Sequence, residues 1–292
     1  MSTAPMQGPP IPATLRGMKN LTLRSTGPIS TYRKIAAVAW DPPSDPHVYG
    51  SLEIRCEALE AWVKQKREAT GARITVMHAV TRALAMIMAR HPTLNCFVRW
   101  GSLVQRVDID IFVQVVVEDA EHLGKADLSG VKLKNVDTLD VAAIARTIQE
   151  RAGKIRAGQD EDFESTKNNL TLIPGWALRH LLRFIAFLQY NLNISPRFIG
   201  APPDPFGGAM VTNVGVFGIT RGYAPFFPPA RSSLILTLGA IEAKAVVEDG
   251  KIVIGRVLHL NGTFDHRVCD GYHAGVVSKE IRALLEHPER LD

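Results

Sequence analysis

The stretch GTFDHRVCDG, residues 262–271, lies where two periodicities meet. Upstream, RVLHLNGTF (256–264) reads as a strand. Downstream, from about Gly271 to Glu286, Val276, Val277, Ile281, Leu284 and Leu285 recur at helical spacing, and Pro288 ends the run. A turn that leads a strand into a helix often displays catalytic side chains, and this one carries His266. An imidazole, with a solution pKa of about 6.5, can accept a proton from a thiol of pKa about 8.5 and return it within one cycle. Thiol-to-thioester exchange needs that proton shuttle. It also needs a hydrogen-bond donor set in place beforehand for the oxyanion of the tetrahedral intermediate, a role that a serine or threonine hydroxyl fills.

The other polar residues of the turn have structural readings. Asp270 stands where an N-cap of the last helix would accept backbone N–H groups. Asp265 and Arg267 are spaced to pair and shape the turn. Cys269 occupies an apolar slot without a base of its own, so it reads as a small core residue and not as a nucleophile. His259, His266 and His273 are spaced by seven, which matches no zinc pattern, and no metal is expected.

Working outward, VYGSLEI (48–54) alternates as a half-buried strand, and CEALEAWVKQKREATG (56–71) follows as a helix ending at Gly71. ITVMHAVTRALAMIMARHP (74–92) is a helix apolar on nearly all sides, with His78 read as a satisfied core histidine. LNCFVRW (94–100) and DIDIFVQVVVED (108–119) read as strands, the second interior to a sheet. A helix over LDVAAIARTIQERAGKIRAG (139–158) comes next, then the helical candidate 173–194. GGAMVTNVG (207–215), SSLILTLGAI (232–241) and KAVVEDGKIVIG (244–255) complete the strands, with Asp249-Gly250 as a hairpin signal. The pattern is α/β without internal repeats.

Bulk properties fit a globular protein: 292 residues, 46% hydrophobic and 22% charged. MSTAPMQGPPIP lacks the basic start and apolar run of a signal peptide, so residues 1–28 are expected to be a flexible tail and residues 29–292 one domain. The three cysteines, Cys56, Cys96 and Cys269, make no disulfide framework, which suits a reduced cytoplasmic setting. The net charge of +5 is spread along the chain without a basic-aromatic stripe, so no nucleic-acid partner is expected.

At these residues the chain resembles the catalytic domain of the 2-oxo acid dehydrogenase acyltransferases, relatives of chloramphenicol acetyltransferase. DHRVCDG (265–271) fits the DHRxxDG signature, and PHVYGSLEI, GGAMVTNVGVFG, FPPARSSLILTLGAI and LLEHPERL resemble further family segments in the same order. The resemblance implies a chloramphenicol acetyltransferase-like two-layer sandwich, a mixed sheet covered by helices. It implies coenzyme A as the acyl-carrying substrate and a homotrimer with its active sites between subunits. His266 falls on the family's catalytic histidine and Thr212 on the hydroxyl residue that stabilises the oxyanion from the neighbouring subunit, with Asn213 following. Read from its residues alone, Thr212 is better explained as a β-forming strand residue. Asp270 falls on the acidic position that orients the active-site segment, sometimes through an arginine near the N-terminus, for which Arg33 is the candidate.

The departures set further expectations. The sequence shows neither a lipoyl domain with its lysine nor a subunit-binding domain, so a bare catalytic domain is expected, with dihydrolipoamide presented by a lipoyl-carrying protein or dehydrogenase-complex partner. The family's further apolar residues, which join trimers into larger cores, do not follow Arg290, Leu291 and Asp292, so a free trimer is expected. The segment VVVEDAEHLGKADLSGVKL (115–133) lacks the family's usual pattern. Residues 171–205 read as an insertion whose helix is apolar except for Arg179, His180 and Arg183. It is too short and charged to span a bilayer, and three uses compete: packing, docking of a partner or acyl chain through 174–192, and lying in a membrane interface. Against the enzyme stands a catalytically inactive scaffolding trimer.

Overall fold

The computed structural model describes residues 21–25, 46–117, 127–156 and 175–292. Its principal sheet has six strands: β2 (His47–Arg55), β5 (Ile111–Val117), β6 (Asp127–Leu133), β7 (Ala209–Asn213), β8 (Leu234–Glu248) and β9 (Lys251–Asp265), in the order β2-β9-β8-β7-β5-β6. The β5–β7 and β7–β8 pairs are parallel and the others antiparallel, so the sheet is mixed. A smaller sheet, β1-β4-β3, is built from Leu23–Ser25, Ser102–Arg106 and Cys96–Arg99.

Alternation of side chains along each strand explains the layering. Ile54, Ile111, Val113, Val211, Leu234, Leu236, Leu258 and Leu260 point to one face and join a single core. The other half of that core comes from helices α1 (Glu57–Thr70), α2 (Val76–Arg90), α3 (Val141–Arg156) and α5 (Gly271–Glu286). Together these make the expected two-layer sandwich. His78 is buried in α2, where its Nδ1 accepts a hydrogen bond from the Thr75 N–H at 3.0 Å and caps the helix start. Burial brings the His78 imidazole down to about 4, with Arg67 acting in the same direction.

Two features differ from the sequence expectations. The three segments 232–241, 244–255 and 256–264 merge into two long strands, turned at Asp249 and Gly250 with φ of 49° and 75° and interrupted by a bulge between Leu238 and Ile241. Leu23–Ser25, within the stretch read as a tail, pairs with β4. Residues 1–20 and 26–28, and Arg33, lie outside the described residues.

The segment read as an insertion forms α4 (Gly175–Ala186) and a π-helical turn, Phe187–Leu192. Ala186 and Tyr190 pack with Phe97, Leu23 and Val104 against the small sheet. Packing is therefore one of its uses, while Phe184 and Phe187 stay 54% and 39% exposed. No helix among the described residues is long and apolar enough to cross a membrane.

Candidate active site

His266 opens the turn between β9 and α5, and dense local bonding fixes its backbone. Its N–H donates to the Pro46 carbonyl at 2.8 Å, tying the turn to the start of β2. Asp265, 6% exposed, takes the Arg267 guanidinium through Nε at 3.0 Å and Nη2 at 2.8 Å, and accepts the Arg267 N–H at 3.0 Å. Its carbonyl accepts from the N–H groups of Val268 and Cys269. The expected ion pair thus shapes the turn. Cys269 is 1% exposed within the core. Asp270 is the N-cap of α5, accepting the His273 N–H at 3.1 Å and pairing with His273 Nδ1 at 2.6 Å.

Thr212 lies in β7 and is 9% exposed. Its neighbour Val211 points into the helix-side core, so Thr212 points to the opposite face of the sheet. There it borders a cavity of about 290 Å³ with Gln114, Thr237, Phe217, Ile219 and Tyr223. The register places Thr212 beside Thr237, Thr237 beside Asn261, and Asn261 beside Ser51, so one polar row crosses the sheet. Ser51 Oγ donates to Asn261 Oδ1 at 2.7 Å and lies 2.6 Å from the Tyr223 hydroxyl, and Asn261 Nδ2 donates to the Thr220 carbonyl at 3.2 Å. These bonds hold the strap 214–224 over the sheet. Gly239 lets it approach, since a Cβ there would collide with the Thr220 carbonyl.

Sequence reading did not single out Ser51, Gln114, Thr237 or Asn261. The signal was a polar residue at every second position, as in His259, Asn261 and Thr263 between Leu258, Leu260 and Phe264.

One chain does not bring His266 and Thr212 together. Thr212 is level with Asn261 through Thr237, and His266 stands five positions beyond Asn261. That is roughly 16 Å along the strands, plus about 10 Å across two strand spacings.

The protein-family model for the 2-oxoacid dehydrogenases acyltransferase (catalytic domain) matches residues 26–173 and 205–292. The chain is 22% identical over 270 residues to the dihydrolipoyllysine-residue acetyltransferase component of the acetoin cleaving system of Bacillus subtilis, covering 90% of this chain and 56% of that protein. It is 27% identical to the bovine (Bos taurus) mitochondrial dihydrolipoyllysine-residue succinyltransferase component of the 2-oxoglutarate dehydrogenase complex, covering 82% and 42%. The chain thus spans about half the length of these curated relatives.

Among solved structures, the cubic core of the pyruvate dehydrogenase multienzyme complex superposes with a TM-score of 0.62 at 17% identity, covering 98% of both chains. Dihydrolipoamide acetyltransferase of Azotobacter vinelandii gives 0.61 at 18%, covering 84% of each. These likenesses establish a shared fold. Together with the sequence match they show that the chain belongs to the 2-oxoacid dehydrogenase acyltransferase catalytic-domain family.

Proposed function

We propose that the chain is a coenzyme A-dependent acyltransferase that moves an acyl group between coenzyme A and a thiol such as dihydrolipoamide, with His266 as general base and Thr212 as oxyanion donor. The observation that carries this reading is the DHRVCDG turn, which holds His266 between a core strand and a capped helix. The His266 imidazole takes the proton of the acceptor thiol, and the thiolate attacks the thioester carbonyl. The Thr212 hydroxyl donates to the resulting oxyanion. Collapse breaks the bond to the leaving sulfur, which takes the proton back from the imidazolium, so no covalent enzyme intermediate is needed. Asp270 keeps the turn in place by anchoring α5.

The separation of His266 from Thr212 within one chain supports a site completed by a second copy, as in a homotrimer with three such interfaces. The thiol is then presented by a lipoyl-carrying partner of a dehydrogenase complex. With acetyl- and succinyl-coenzyme A as donors and dihydrolipoamide as acceptor, His266→Ala is expected to lower kcat by about 10²–10⁴, and Thr212→Val by about 10²–10³. Turnover by His266→Ala equal to that of the unaltered protein contradicts the reading.

A further inference from the structure

The family match stops at residue 173 and resumes at 205, so residues 187–204, which form one side of a seam with the body, lie between the two matched segments. Two arginines of the body converge there on one residue of the intervening segment. Arg99 Nε donates to the Asn191 carbonyl at 3.0 Å, and Arg231 Nη2 donates to Asn191 Oδ1 at 2.6 Å. Arg231 Nη1 donates to the Val98 carbonyl at 2.9 Å, and its guanidinium stands 5.5 Å from the Tyr190 ring centre. Neither cation forms a salt bridge among the described residues. The nearby carboxylate of Asp204 is committed to Arg106 at 3.4 Å, to Lys132 at 3.6 Å and to the Tyr190 hydroxyl at 2.7 Å.

Two half-buried guanidiniums held on one asparagine repel each other. Neutral carbonyl and ring partners soften that repulsion without cancelling the charge. Burial brings Arg231 down to about 10, and Arg267, Arg106 and Arg99 act in the same direction. Among the described residues, no hydrogen bond uses the two Nη groups of Arg99 or the Nε of Arg231. The backbone around the pair is also strained. Trp100, Asn193, Asp204 and Arg231, all at this seam, take φ between 39° and 58°, a left-handed conformation that non-glycine residues hold only where the surroundings impose it.

We propose that this seam is an oxyanion site that takes a phosphoryl group between Arg99 and Arg231. A phosphoryl group offers three oxygens, enough to accept from both planar forks at once, and carries a negative charge that no described residue offers the pair. The exposed indole of Trp100, whose Nε1 also donates to the Asn191 carbonyl at 3.0 Å, stands beside the pair and suits a flat ring on the phosphorylated ligand.

The test is calorimetric titration of inorganic phosphate into the full chain at constant ionic strength, with succinate as the carboxylate counterpart. Saturable phosphate binding is expected, tighter than succinate, and weakened roughly tenfold or more by Arg99→Gln and by Arg231→Gln. Should Arg231→Gln fail to fold, Arg99→Gln decides, because the Arg99 side chain is partly exposed and makes a single backbone bond among the described residues. Absence of saturable phosphate binding, tighter binding of succinate, or binding that Arg99→Gln leaves unchanged each overturns the proposal. The readout is binding, so it is independent of whether acyl transfer is observed.

Discussion

Two arginine–aspartate pairs organise this molecule in opposite ways. Asp265 and Arg267 are two residues apart, with side chains 8% and 22% exposed, and their bond shapes the turn that presents His266. Arg106 and Asp204 are 98 residues apart and 2% exposed each, and their bond locks the segment after α4 onto the body. The local pair is partly hydrated and its partners are held close by the chain itself, so its contribution to stability is small and its value lies in geometry. The remote pair has lost its water. Burial pushes the Asp204 carboxyl up, and Arg106, Lys132 and the Tyr190 hydroxyl more than offset this and hold it below the usual carboxylate range. Such a pair stands or falls as a network.

The sharpest way to break the comparison is to remove one partner of the remote pair. Asp204→Ala leaves Arg106 buried and uncompensated, and is expected to cost about 3–5 kcal/mol in urea unfolding. The double change Arg106→Met with Asp204→Leu removes both charges and should recover most of that loss.

A second contrast comes from acid. His78 has a folded-state value of about 4 against an unfolded value near 6.5, because burial disfavours its charged form. Its contribution is therefore complete at neutral pH and is lost as pH falls from 6.5 towards 4, by about 2 kcal/mol at pH 5. Asp204, held below the usual carboxylate range, keeps its contribution over that window and loses it only as pH falls through its lowered folded value. Unfolding free energies across pH 4–7 should consequently flatten in His78→Gln, whose amide oxygen can still accept from Thr75, and should change little in slope in Asp204→Asn.

The local pair supplies the smallest stability effect. Arg267→Ala is expected to cost about 1 kcal/mol, yet to lower kcat with dihydrolipoamide more than tenfold by loosening the His266 turn. A loss of several kcal/mol without a change in kcat would reverse the assignment of the two pairs.

The same contrast explains what could be read from the sequence. Features closed within a few residues were visible: the Asp249-Gly250 hairpin, the Asp270 cap, the Asp265–Arg267 pair and the helical spacing of α1, α2, α3 and α5. Strands β1, β4 and β6 escaped because short edge or hairpin strands draw their regularity from a partner more than from their own pattern. The polar row of Ser51, Asn261, Thr237 and Thr212 was present as alternation along separate strands. Only the register between strands assembles it beside the cavity. Asp204 and Arg106 gave no signal, since burial of a charge is decided by residues far away in the chain.

The central claim, a site shared between copies, is tested most directly by mixing two inactive proteins. His266→Ala and Thr212→Ala are unfolded together, refolded as an equal mixture and assayed for acyl transfer from acetyl-coenzyme A to dihydrolipoamide. If each site takes its histidine from one copy and its threonine from the next, about a third of the sites in mixed trimers, or about a quarter of all sites after random assembly, are intact and activity returns to about a quarter. Mixed trimers verified by mass spectrometry that stay as inactive as either parent would contradict the account.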